Sequence, residues 1–320
     1  MATNNFSCSC GSGIGSLGVP SCVKQFGLSY RDIFVNTYDF AGNRNGIPVS
    51  AFVNGVLPES YLLSFFDASD PSYRWSITPD KYEEVAPSRT ERQTQESATG
   101  TIKVLRKGVD TFEAQLWNVP KFFSENINKA NCNEISVYKI DEAGNVAGEV
   151  SADGSMFYPL LIEKGSLNAE SFDATPTTGA YTRITYQLSR LVNEGNYLTI
   201  SRGQLGADLR TARSLIEVDL KLVSTTATEV VVDASNGNFG NFASPFKVVG
   251  ADLITDWQVR DASTNANIAL TSVDDVIDGR YKLTFASTPT TAVFVYFKKT
   301  RTSIASLGLI ADPLAVTTGA

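Results

Sequence analysis

The chain has 320 residues, 42% hydrophobic and 19% charged, which is enough apolar mass for one large or two ordinary cores and too apolar for a disordered polymer. Its 27 basic and 34 acidic side chains leave a formal charge of −7, which disfavours tight binding to nucleic acid or to an anionic membrane. Histidine is absent, so the commonest general base and the commonest metal ligand are missing together, and catalysis would fall to carboxylates, Lys, Tyr or Cys.

The first residues, MATNNFSCSCGSG, have neither a basic n-region nor an apolar h-region, and a soluble product made in the cytoplasm is expected. Residues 1–29 read as a Gly/Ser-rich arm. Within it Gly13, Gly15 and Gly18 spell G-x-G-x-x-G, but polar residues precede the run and Pro20 follows it. The strand before and the helix after that a dinucleotide site needs are therefore missing. Cys8, Cys10 and Cys22 are three thiols without a histidine to complete a zinc site, and with Cys132 they make too few cysteines for a disulfide framework.

Residues 30–215 read as a first β domain. Its polar stretch 78–100 is too long for an ordinary connection and is expected to project as a loop or hairpin. Residues 111–117 alternate with Phe112, Ala114 and Leu116 on one face, as a half-buried strand does. Pro120 opens a helix over 121–130, with Phe123, Ile127 and Ala130 on one stripe. Residues 135–140 are a strand leading into a turn at 141–145, and 182–189 alternate again.

A second β unit spans 216–300, with candidate strands at 217–223, 228–233, 245–249, 255–260, 267–271, 279–286 and 291–298. That number and length fit an immunoglobulin-like sandwich. The excess acid lies ahead of it, −6 within residues 1–220 against −1 within 221–320. Residues 301–320 form an apolar, charge-poor tail with Leu307, Leu309, Ile310 and Leu314, expected to dock on a neighbouring copy. The longest apolar runs, such as 293–297, are far too short to span a bilayer as a helix.

No constellation for catalysis emerges. Asp274, Asp275 and Asp278, like Glu83 and Glu84, sit in polar company and read as solvated acids, not as a hydrolytic pair. The run 141–145 lacks the spacing of a calcium loop. The expectation is no enzyme, no catalytic residue, no cofactor and no metal.

Four stretches carry a resemblance: RWSITP at 74–79, VLRKGVDTF at 104–112, ISVYKIDEAGN at 135–145 and MFYPL at 156–160. They resemble tail-tube-like and ring structural proteins of tailed bacteriophages, closest to those of crAss-like and other Bacteroidota-infecting phages. The resemblance covers about half the chain and rests on soft patterns. It implies a mainly β fold, a tail-tube-like β-sandwich or barrel with one flanking helix, followed here by a C-terminal immunoglobulin-like β-sandwich. It further implies a virion protein of the tail or neck that oligomerises with itself and with neighbouring tail or neck proteins. DNA would pass through the ring without sequence-specific binding, and no membrane is involved. The unit at 216–300 departs from a minimal tube protein and leaves tube, neck ring, collar and distal component open.

The candidate assembly interface is Trp75, Lys81, Glu83, Glu84, Arg89, Glu91 and Arg92 in and beside the projecting stretch, with Leu309 and Leu314 in the tail. Deletion of 80–97 is expected to spare the fold and abolish assembly. The alternatives are an adhesin or carbohydrate-binding protein using Trp257, Phe239 and Phe242 of the C-terminal sandwich, and a carboxylate hydrolase.

Overall fold

The computed structural model describes residues 26–91, 93–96, 102–106, 108–192, 196–236, 247–289, 292–299 and 301–318. The N-terminal arm with its three cysteines and glycine run, together with Arg92, Phe239 and Phe242, lies outside the described residues, apart from 26–29. The fold is mainly β, with sandwich- and barrel-like sheets, and the chain divides into two compact units, Met1–Arg213 and Ser214–Ala320. No helix among the described residues is long and apolar enough to cross a membrane.

In the first unit the elements run β1 (Ser29–Asn36), β2 (Ile47–Pro48), α1 (Glu59–Phe66), β3 (Ser76–Ile77), β4 (Glu84–Val85) and β5 (Ser88–Arg89). Then come β6 (Gln93–Glu96), β7 (Ile102–Arg106), β8 (Asp110–Trp117) and α2 (Lys121–Ala130). The unit is completed by β9 (Ile135–Asp141), β10 (Val146–Val150), β11 (Met156–Tyr158), β12 (Leu160–Leu161), β13 (Asn168–Phe172), β14 (Tyr181–Gln187) and β15 (Tyr197–Ile200). One sheet has the order β2-β11-β10-β9-β1-β3, with β12 also on β9 and β15 also on β10. A second has the order β13-β14-β8-β4, with β5 also on β8, while among the described residues β6 and β7 pair only with each other.

Strand β1 lies between β9 and the two-residue edge strand β3 and is covered on both faces. Phe34 joins Val137, Phe112, Leu116, Ile184 and Tyr186 in the core between the two sheets. Ile33 lies opposite Tyr138 on the other face, where Tyr138 meets Trp75, and Trp75 in turn stacks on Phe65 and meets Phe66 of α1. Helix α1 was missed in the sequence, because ESYLLSFF is barely two turns long, shorter than the window over which a helical period stands out; its Leu62 and Phe66, one turn apart, are both fully buried. Helix α2 forms at 121–130 as its spacing predicts. Its Asn128 side chain bonds both the N–H and the C=O of Ala169, so the helix caps the outer edge of β13. The expected turn at 141–145 joins β9 to β10, with Gly144 at φ 84°, a conformation that disfavours a Cβ.

The loop after β1 is held by one carboxylate. Asp39 accepts from the Tyr73 hydroxyl at 2.6 Å, the Asn43 backbone at 2.7 Å and the Asn43 amide at 3.0 Å. These bonds, the Tyr73 bond first, bring its pKa down to about 2.

The second unit comprises β16 (Leu215–Thr225), β17 (Glu229–Asn236), β18 (Trp257–Asp261), β19 (Asn267–Ile268), β20 (Leu270–Ile277) and β21 (Arg280–Phe285). It ends with β22 (Ala292–Lys299), β23 (Gly308–Ala311) and β24 (Leu314–Thr317). The pairing path is β19-β18-β22-β23-β16-β17-β21-β20, with β24 on β22. It bends at β22, whose first half pairs with β18 and β24 and whose last residues pair with β23. Val232, Trp257, Tyr281, Leu283, Val295 and Phe297 fill the space enclosed. The expected strand at 245–249 is not formed at its described residues, where Lys247 makes a single bridge to Ser235.

The tail is a correction. Residues 308–317 are taken up by their own unit: β23 lies between β22 and β16, parallel to β16, and β24 adds to β22. Leu309 is 7% exposed within its own core, and Leu314 packs against the same core. An apolar segment this close in sequence to an unpaired sheet edge gains its burial locally.

Two outcomes follow from these placements. Truncation before Gly308 removes an internal strand, so calorimetry should show the second unit's unfolding transition lost and the first unit's retained; an unchanged thermogram would contradict the placement of β23. Because Asp39 titrates lower in the folded chain than its unfolded value of about 3.9, its contribution is present above that pH and lost as pH falls towards about 2. The melting-temperature gap between the natural chain and Asp39→Asn should therefore narrow as pH falls across that window.

Candidate assembly hairpin and its polar anchor

The stretch 78–100 is built in two parts. Its first half is tied into the first unit. Thr78 donates its N–H to the Asp32 carbonyl at 3.0 Å and Tyr82 to the Tyr30 carbonyl at 2.8 Å. Strands β4 and β5 then run antiparallel along β8, Glu84 opposite Gln115 and Ser88 opposite Thr111. Thr90 closes this ladder against Val109 in both directions, backbone to carbonyl at 3.0 Å and Val109 N–H to the Thr90 hydroxyl at 2.8 Å. Gly108 sits so close to the Thr90 carbonyl that a Cβ would collide with it. Beyond this neck the second part is the β6–β7 hairpin, with Gln93 opposite Arg106 and Glu96 opposite Ile102, joined to no other strand among the described residues.

The anchor of the first half is a buried polar cluster that begins at two adjacent residues of β1. Asp32 faces the inter-sheet core and is fully buried. Its Oδ2 accepts from the Tyr186 hydroxyl at 2.7 Å and from the Tyr82 hydroxyl at 2.9 Å, while Oδ1 has no hydrogen-bond partner among the described residues. Burial raises the Asp32 pKa above its usual value, against the opposing pull of Lys139 and the two tyrosine bonds. Lys139 stands directly opposite Asp32 across the β1–β9 ladder, with its ammonium 3.9 Å from the Phe112 ring centroid. Burial lowers the Lys139 pKa, with Asp32 and Asp110 acting in the other direction.

Arg31 points to the opposite layer. It is 4% exposed and meets carbonyl oxygens, not a carboxylate. Nε and Nη2 donate to Thr78, and Nη1 donates to Arg210 at 2.7 Å and Ala212 at 2.9 Å. Desolvation is the main cause that brings its pKa down to about 10, yet the guanidinium stays charged at neutral pH. The segments 78–82 and 210–212 are thus clamped to one strand by one side chain.

The predicted site residues scatter over several environments. Trp75 is not an interface residue: at 3% exposure it is core, enclosed by Phe65, Phe66 and Tyr138. Leu309 is core in the second unit, as described, and Leu314 is partly buried against that core. Lys81 and Glu83 pair at 3.3 Å, Arg89 and Asp110 at 3.4 Å, and Glu84 accepts from Gln115 at 2.8 Å. Of these, the Arg89–Asp110 pair and the exposed Glu91 flank the Thr90–Val109 closure, and the other two contacts lie further back along the first half. Exposed pairs of this kind are worth at most about 1 kcal/mol each and leave the charges free to be re-paired by a partner. Trp257, the aromatic proposed for glycan contact, is 5% exposed and donates Nε1–H to the Ala251 carbonyl at 2.6 Å, so it is core as well. Asp274 pairs with Lys282 at 3.6 Å, and Asp274 and Asp275 lie on strand β20 and not in a turn. Among the described residues no group of three acids or cysteines is placed to hold a metal, and Cys132 is an exposed thiol.

Sequence reasoning missed Arg31, Asp32, Tyr82, Lys139 and Tyr186. The signal for the first two was present: SYRDIFVN is a strand-like run in which Arg and Asp occupy positions that a doubly covered strand would bury. Nothing local marks the tyrosines as their partners, which lie 50 and 154 residues away.

Removing either hydroxyl strips a hydrogen bond from an already under-satisfied buried carboxyl. Tyr82→Phe and Tyr186→Phe should each cost about 1.5–3 kcal/mol in denaturant unfolding. A loss below about 0.5 kcal/mol for both would show that the cluster does not anchor the segment. No protein-family model matches the chain, and no curated protein does.

Proposed function

We propose that the chain is a structural subunit that assembles with copies of itself into a ring or tube of a tailed-phage virion, at the tail or neck, around a channel through which DNA passes. The observation that carries this reading is the β6–β7 hairpin, a two-stranded sheet taken up by neither larger sheet of its unit. An isolated two-stranded hairpin is marginal in water and gains stability when a third strand or a packed surface joins it. A neighbouring subunit supplies that surface, and a ring supplies it to every copy through a head-to-tail contact.

Two further features support the reading. The neck of the hairpin is fixed by the Thr90–Val109 closure and the β4 and β5 pairings, so the hairpin is presented from a defined base. The acidic excess falls in residues 1–220, and a conduit with that charge repels phosphate and lowers the barrier to sliding. The second unit, read as an immunoglobulin-like sandwich, is a decoration carried on the assembled ring.

The test must spare the anchor. Deleting 80–97 would remove Tyr82 from the core and β4 and β5 from β8, so loss of assembly after that deletion would have a trivial cause. The informative variant replaces 91–107 with a two-residue turn between Thr90 and Gly108. Its thermal unfolding should match that of the natural chain. In electron micrographs the natural chain should form rings with a DNA-sized hole and the variant should not. Rings undiminished in the variant would overturn the hairpin's role. A natural chain that stays monomeric and is absent from virions would overturn the ring itself.

A further inference from the structure

A cavity of about 340 Å³ opens between the two sheets of the first unit, at the small end of the range in which ligand pockets fall, about 300–1,000 Å³. Lys139 of β9 and Phe112 of β8 line it from the two sheets, Leu160, Leu188 and Pro87 add apolar wall, and Ser88 and Thr111 add polar residues at its side. Arg89 and Asp110 stand in it as a pair 3.4 Å apart and cancel each other's charge. Tyr197, whose pKa burial pushes up to about 12, adds a neutral phenol.

The charge left over is that of Lys139. An ammonium has three donors. Among the described residues this one makes neither a hydrogen bond nor an ion pair, and its contacts are the faces of Phe112 at 3.9 Å and Tyr186 at 5.7 Å. Asp32, its cross-strand neighbour, has its carboxyl engaged by two tyrosines and is biased towards the neutral form by burial. A cation over aromatic faces recovers part of its lost hydration, but its donors stay unsatisfied.

We propose that this cavity binds a small organic carboxylate, the carboxylate on Lys139 and the apolar body against Phe112, Leu160 and Leu188. A cationic ligand would meet Lys139 unfavourably. A free phosphate has no apolar body to set against Phe112, Leu160 and Leu188, so it would leave that part of the wall uncovered. The site is independent of the ring reading, since it lies within one subunit and its occupancy is measured whether or not subunits assemble.

The probes are benzoate, its neutral counterpart benzamide, and benzylammonium, titrated into the full chain by calorimetry. Benzoate should bind at one site at least about tenfold more tightly than benzamide, with benzylammonium weakest. Lys139→Met should erase the preference for benzoate, and Lys139→Arg should restore it. Should Lys139→Met fail to fold, Leu188→Trp, which fills the cavity and leaves β9 untouched, must abolish benzoate binding. Equal affinity for benzoate and benzamide, the absence of saturable benzoate binding, or a preference that survives in Lys139→Met would each overturn the assignment.

Discussion

A strand covered on both faces offers no cheap place for a charge, yet β1 carries Arg31 and Asp32 side by side, both almost fully buried. The pleat sends them to opposite layers, so they cannot neutralise each other, and each must find partners across its own face. Arg31 finds three carbonyl groups in two distant segments, and Asp32 finds two tyrosine hydroxyls, one from segment 78–82 again and one from strand β14. Apolar packing alone accepts many registers. A buried guanidinium or carboxyl accepts only the one that satisfies it, so these two residues specify how segments 78–82 and 210–212 and strand β14 lie against β1.

That constraint reaches the surface through Tyr82. Its ring packs against Phe112 while its hydroxyl serves Asp32, so the chain leaves the core at a fixed point, runs along β8 and closes at Thr90 and Val109. Past the closure, among the described residues, β6 and β7 pair only with each other. A rigid base carrying an under-supported hairpin is the arrangement expected of a segment that acquires its last partner by assembly. Among the described residues the same polar cluster leaves Lys139 on the cavity side with no ion pair, so one set of buried residues bears on both proposals.

Much of the fold was legible in local pattern. Alternation placed the strands at 111–117 and 182–189, and Pro120 with a 3.6-residue stripe placed α2, because each presents one apolar face at a period that survives in the sequence. Helix α1 was missed, since its eight residues are fewer than a helical period needs to stand out. The site was less legible than the fold. Trp75 and Trp257 read as available rings, but an indole is as suited to a core as to a surface, and only the surrounding Phe65, Tyr138, Tyr281 and Phe297 decide which.

The sequence by itself determined a mainly β chain without histidine, a helix after Pro120 and a polar excursion near 78–100, because composition and short-range periodicity carry those properties. Tertiary structure alone decided that the C-terminal leucines complete their own sheet, that half of the polar excursion is sheet, and that Asp32 meets Tyr82, Tyr186 and Lys139. These are pairings between residues tens to hundreds of positions apart. Which partner wins is set by competition for burial and for unsatisfied polar groups over the whole chain, and no local window contains that information.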